Sequence, residues 1–183
     1  MDLLNQYKDY LPKPEGPTKF DPLLENLKKT NELTDNDQVK KLAEDESKAA
    51  NDITGTLVGI LEKINPLSTF LPENEQASEA LDTGNEQVSE LNDMLGKIAG
   101  LNCITKFCML AKYLKKVQDL IKKLEEFKKK LEEQFKEAQD KAMDWAKAKA
   151  AEMMKGKATE VLSSAAASAG AAVKSAVGNM KIW

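Results

Sequence analysis

The sequence predicts an all-α fold, an extended helical bundle or coiled coil built around one long helix (about 102–155), with an antiparallel helical hairpin and an Ala-rich C-terminal helix. Three observations predict it. Residues 101–155 contain neither proline nor glycine, and their apolar residues recur at alternating spacings of four and three. These are Leu110, Leu114, Val117, Ile121 and Leu124, then Leu131, Phe135, Ala138, Ala142 and Trp145. That is the 3.5-residue period of a helix laying a narrow seam on a partner helix. A second strip with the same spacing runs Ala77, Leu81, Gly84, Val88, Leu91, Leu95, Ile98. Composition agrees, because 31% charged and only 5% aromatic residues suit a helical bundle better than a compact sandwich or α/β enzyme.

Residues 1–34 read as an N-terminal arm with a short helix. Pro12, Pro14, Pro17 and Pro22 interrupt it, and proline fixes φ while removing a donor. Its aromatics, Tyr7, Tyr10 and Phe20, argue for a peptide lying along a surface. Asp21 is expected to cap the short helix, Pro22 to take its first position, and Leu23, Leu24 and Leu27 to form its apolar side.

Residues 35–155 read as the bundle. Its first helix is expected to start in Thr34–Asp37, with Asp35 three residues before Gln38 as a capping box. An apolar face follows at Val39, Leu42, Ala49, Ile53, Leu57, Ile60 and Ile64, and Pro66 ends it. Gly55 and Gly59 form a G-x-x-x-G that predicts close helix packing. Asp35, Asp37 and Glu46 imitate a calcium loop, but Val39 takes a ligand position and Lys40 the glycine position, which excludes it. After PLSTFLP comes the Ala77–Ile98 strip. Its phase does not continue into the Leu110 series, so GKIAGLNC is read as a helix–helix turn, with a continuous helix carrying a local stammer as the alternative.

On the long helix Glu125–Lys129, Glu126–Lys130, Glu132–Lys136 and Glu137–Lys141 are glutamate-first i,i+4 pairs that support an exposed helical face. The seam has one gap, where Lys128 stands in phase and the apolar residue is displaced to Phe127. Cys103 and Cys108 point about 140° apart on a helix and cannot bridge within it. They read as buried free thiols, with an intermolecular disulfide or a redox role as the sharper alternative.

Residues 156–183 read as an Ala/Ser/Gly-rich C-terminal association helix, interrupted near Gly170. Ala165, Ala166, Ala169, Gly170 and Val173 offer close backbone approach, and Trp183 is either a frayed end or a plug for a partner's pocket. In composition, residues 140–178 are similar to desiccation-type late-embryogenesis proteins and exchangeable amphipathic helices, from which the aromatic-bearing N-terminal half departs.

Charge and residue usage narrow the functions. Residues 1–100 hold 10 lysines and 20 acids, residues 101–183 hold 17 lysines and 10 acids, so the two halves are of opposite sign. All 27 basic residues are lysine, and histidine is absent. Without arginine there is no planar fork for bidentate phosphate or guanine recognition, which disfavours specific nucleic-acid binding. Without histidine the commonest general base and metal ligand is missing. No nucleophile–base pair, metal cluster or phosphate loop stands out, so no catalytic residue, metal or cofactor is expected. The expectation is a non-enzymatic structural or adaptor protein acting by helix–helix association within a larger assembly such as a secretion apparatus or virion. Its partners would be other proteins or further copies of itself, through the seam Leu110, Leu114, Val117, Ile121, Leu124, Leu131, Phe135 and Trp145 and through the C-terminal helix. A membrane-active α-helical protein, forming pores or binding lipid surfaces, is the alternative. MDLLNQYKDYLPKP lacks the features of a secretory signal and no run reaches membrane-spanning length, so a cytoplasmic location is expected unless a dedicated machine exports the chain.

Overall fold

The computed structural model describes residues 11–12, 16–71, 75–101 and 107–178, with the backbone alone for 75–77, 107–108 and 156–178. Among the described residues there is no strand. The described residues form five α-helices, in order α1 (Asp21–Thr34), α2 (Asp37–Leu42), α3 (Glu44–Ile64), α4 (Glu75–Ala99) and α5 (Phe107–Gly178). A 3-10 turn (Asn65–Phe70) follows α3. The chain divides into two units, Pro12–Lys141 and Met1–Leu11 with Ala142–Trp183.

In the larger unit α1 packs on both α3 and α4. Residues 21–34, expected as part of a surface arm, are therefore a bundle helix, with Leu23, Leu27, Thr30 and Thr34 buried. Leu24, expected on the apolar side, is half-buried. Asp21 does not cap the helix, because Phe20 holds that position. The Asp21 carboxylate instead accepts from the Thr18 amide at 2.7 Å, the returning half of a capping box set one turn further out.

The expected single helix from Thr34 to Pro66 is two. Asn36, not Asp35, caps α2, its side-chain oxygen accepting from the Gln38 and Val39 amides at 3.0 and 3.3 Å. Asp35 instead pairs with Lys40 at 3.0 Å. Ala43 leaves helical geometry at φ −146°, ψ 51° and separates α2 from α3. The charges suit that break, with Lys40 and Lys41 closing α2 and Glu44, Asp45 and Glu46 opening α3, each favourable to its helix dipole. Along α3, Ser47, Ala50, Ile53, Thr54, Leu57, Leu61 and Ile64 are buried.

On α4 the expected strip is buried from Leu81 through Gly84, Val88, Leu91, Leu95 and Ile98, while the Ala77 side chain lies outside the described residues. The Gly100 and Leu101 amides turn back to donate hydrogen bonds to the Gly96 and Ile98 carbonyls, at 3.1 Å each. Residues 102–106 of the expected hairpin turn lie outside the described residues, as do the side chains of Cys103 and Cys108.

Two contacts define the packing of α5. Phe127 lies against Gly84 of α4. Gln118 donates to Glu46 of α3 at 2.7 Å. Thus α3 and α4 each pack on α1 and on α5. α5 then continues unbroken through Gly156 and Gly170, so the Ala-rich segment is the end of the same helix. Each glycine costs a helix about 1 kcal/mol relative to alanine, which the surrounding alanines and lysines, strong helix formers, outweigh.

Candidate helix-association surface

Within the larger unit the seam of α5 is wider than a coiled-coil strip. Val117, Ile121, Leu124 and Leu131 are buried, while Leu110, Leu114 and Phe135 are half-buried. Leu120 and Phe127, outside the expected register, are buried as well. Two neighbours explain this, because a helix that packs on α3 and α4 together needs a broad apolar face, not a two-position seam. Ile121 lines a groove with Ile53 and Ala49 of α3, whereas Phe127 faces α4. The apparent gap at Lys128 closes the same way. Phe127 fills the space on the α4 side, and Lys128, which lines the α3 groove, forms an ion pair with Glu132 at 3.7 Å.

The glycine that admits Phe127 is Gly84. A Cβ there would meet Cε1 and Cε2 of the ring at 2.6 Å. Gly55 and Gly59, read from sequence as a close-packing pair, have nothing within 4 Å of an added Cβ. That expectation is corrected: they stand on the outer side of α3, whose inner side is the Ile53–Leu57–Leu61 face.

Polar side chains that sequence reasoning passed over join α1 to its neighbours. The Asn26 amide donates to Asn85 Oδ1 at 2.8 Å, and the Thr30 hydroxyl to Asn92 Oδ1 at 2.7 Å. Asn92 Nδ2 donates to the Asn26 carbonyl at 3.0 Å. On the α3 side the Thr54 hydroxyl donates to Asn31 Oδ1 at 2.7 Å and the Ser47 hydroxyl to the Thr34 carbonyl at 2.8 Å. The signal was available: Leu23, Leu27, Thr30 and Thr34 keep the four–three spacing, with threonines continuing the leucines. Asn85 and Asn92, like Ser47 and Thr54, stand one heptad apart.

In the smaller unit Ala142 and Ala146 are buried, Trp145 is half-buried, and Met153 and Met154 are 41% and 74% exposed. Lys149 donates to Glu152 at 2.8 Å, and that hydrogen bond with its charge holds the Glu152 carboxyl below its usual range. Ala165, Ala166, Ala169, Gly170 and Val173 lie on helical backbone, and Trp183 lies outside the described residues.

Among the described residues no group of three or more Cys, Asp or Glu is arranged to hold a metal ion. None of the described helices is long and apolar enough to cross a membrane. Comparisons with protein-family models, with curated proteins and with solved structures gave no match.

Proposed function

We propose that the chain is a non-enzymatic association protein that joins other proteins, or copies of itself, through α5 within a larger assembly. The observation that supports this reading is disproportion. α5 has 72 residues, whereas α3 and α4, which accompany its first part, have 21 and 25. A partner helix covers a length equal to its own, so α3 and α4 together leave much of α5 to other surfaces. The C-terminal part is rich in alanine, serine and glycine, which let backbones approach closely. Exposed Met153 and Met154 add polarizable, adaptable side chains of the kind used at association surfaces. Mass by light scattering over a range of concentrations, followed by co-purification from the native source, tests the reading. Oligomers or a stoichiometric protein partner are expected. A strictly monomeric, partnerless chain that floats with liposomes would replace it with the membrane-active alternative.

A further inference from the structure

The smaller unit holds two buried alanines on a helix that cannot cover its own outer face. Ala142 is 0% and Ala146 2% exposed, and Met143, Trp145 and Ala150 are half-buried, whereas residues 151–155 are all exposed. The cover therefore ends after Ala150, and residues 142–150 span about 12 Å of helix. The smaller unit consists of Ala142–Trp183 and Met1–Leu11. α5 runs on unbroken to Gly178, so it does not fold back over these alanines. The residues after Gly178 reach at most about 18 Å, against about 48 Å of helix back to Ala146. Within this unit that leaves Met1–Leu11, of which Leu11 is itself only 8% exposed.

The sequence of that segment fits such a place. At about 100° per residue, Leu3, Leu4, Tyr7, Tyr10 and Leu11 fall within one arc of about 120°. Asp2, Asn5, Gln6, Lys8 and Asp9 take the rest of the circle. Residues 1–11 in helical form would be about 16 Å long, enough to overlie residues 142–150 and little more. A helix this short is marginal in water by itself, so its apolar arc needs a surface to lie on.

We propose that residues 2–11 form an amphipathic helix that lies on the alanine face of α5, Ala142, Ala146 and Ala150, in the same molecule. The small alanine side chains let the two backbones approach closely, so leucine and tyrosine side chains make dispersion contacts along the α5 ridge. Tyrosine suits such a shallow site, its ring on the alanines and its hydroxyl in water. The covalent tether favours the chain's own segment over that of a second copy, because it holds the segment at an effective concentration on the order of mM. The assignment does not rest on the association role given to α5, but it limits where that role can act. This face is closed as far as Ala150, and a partner meets α5 from Ala151 onward, where Met153 and Met154 stand open.

Two measurements on the full-length chain test it. With isotope-labelled alanine methyls, nuclear Overhauser contacts should join the Tyr7 and Tyr10 rings to the Ala142 and Ala146 methyls, and their absence would overturn the proposal. In a mixture of copies labelled only on alanine and copies labelled only on tyrosine, the contacts between the two labels should be missing. Contacts seen there would mean that a second copy supplies the cover, and the proposal fails. The second measurement is thiol labelling in a Cys103→Ser, Cys108→Ser background. Ala146→Cys should react roughly tenfold slower than Ala148→Cys, which lies on the exposed side of the same helix. Adding Leu4→Ser and Tyr7→Ser should bring the two rates together. Protection of position 146 that survives those changes would place its cover elsewhere. Equal rates with Leu4 and Tyr7 intact would mean an open face. Either result overturns the proposal.

Discussion

Gly84 and Phe127 illustrate how one position decides a contact between helices. Alanine at Gly84 would gain up to about 1 kcal/mol of helix propensity. Against this, its Cβ would drive into the Phe127 ring, and overpacking of a filled core costs about 1–3 kcal/mol. The steric effect should win, so Gly84→Ala is expected to lower the melting temperature, while Gly55→Ala and Gly59→Ala, with open space around them, should raise it slightly. Thermal denaturation of the three variants checks this, and a stabilised Gly84→Ala would show that the ring yields freely. Leu124, fully buried, gives the apolar counterpart. Leu124→Ala should cost about 2–5 kcal/mol by urea titration. Leu124→Lys should cost more, since it also buries a charge. An unchanged midpoint for either would refute burial of that face.

The helices differ in how legible they were, and the differences have physical causes. The α4 strip could be read directly, because one stripe of Leu81, Val88, Leu91, Leu95 and Ile98 meets the core. On α5 the narrow seam located the buried side but missed Leu120 and read Phe127 as a displacement, because a period-3.5 template assumes one partner and this helix packs on both α3 and α4. The α2–α3 break was hidden because Val39, Ala50, Ile53 and Leu57 keep an apolar face on both sides of Ala43. Only the switch from Lys40 and Lys41 to Glu44, Asp45 and Glu46 marks it. Asn36 is the residue that fixes the start of α2, so Asn36→Ala should cost about 1 kcal/mol and speed amide exchange in Asp37–Leu42. Unaltered exchange there would mean that Gln38 and Val39 anchor the turn without the cap. The embedding of α1 was least legible, because its buried stripe passes from Leu23 and Leu27 to Thr30 and Thr34, whose hydroxyls do not count as apolar in a periodicity. A buried leucine contributes about 1.5–3 kcal/mol, a net hydrogen bond only about 0.5–1.5 kcal/mol. Composition rules weighted toward apolar residues therefore undervalue a helix held by threonine and asparagine.

For the whole molecule, the consequence of a helix running from Phe107 to Gly178 is that its chemistry changes along its length while its backbone does not. Up to Lys155 long charged side chains alternate with a broad apolar stripe; from Ala165 to Val177 only Lys174 is charged. Alanine and serine expose little apolar area, and at about 25 cal/mol per Å² their transfer from water contributes little. Any association through this segment must rest on close backbone approach and the dispersion contacts it permits. Size should then matter more than charge. Ala167→Leu is expected to hold helices apart and shift the light-scattering mass toward the smaller species, whereas Lys174→Ala, which removes a charge and adds no bulk, should leave the mass unaltered. The two substitutions separate the explanations cleanly. If assembly survives Ala167→Leu but is lost with Lys174→Ala, the segment acts through its charge. If neither variant changes the mass, association does not run through residues 157–178, and the broad stripe around Leu124 or the exposed Met153 and Met154 must carry it.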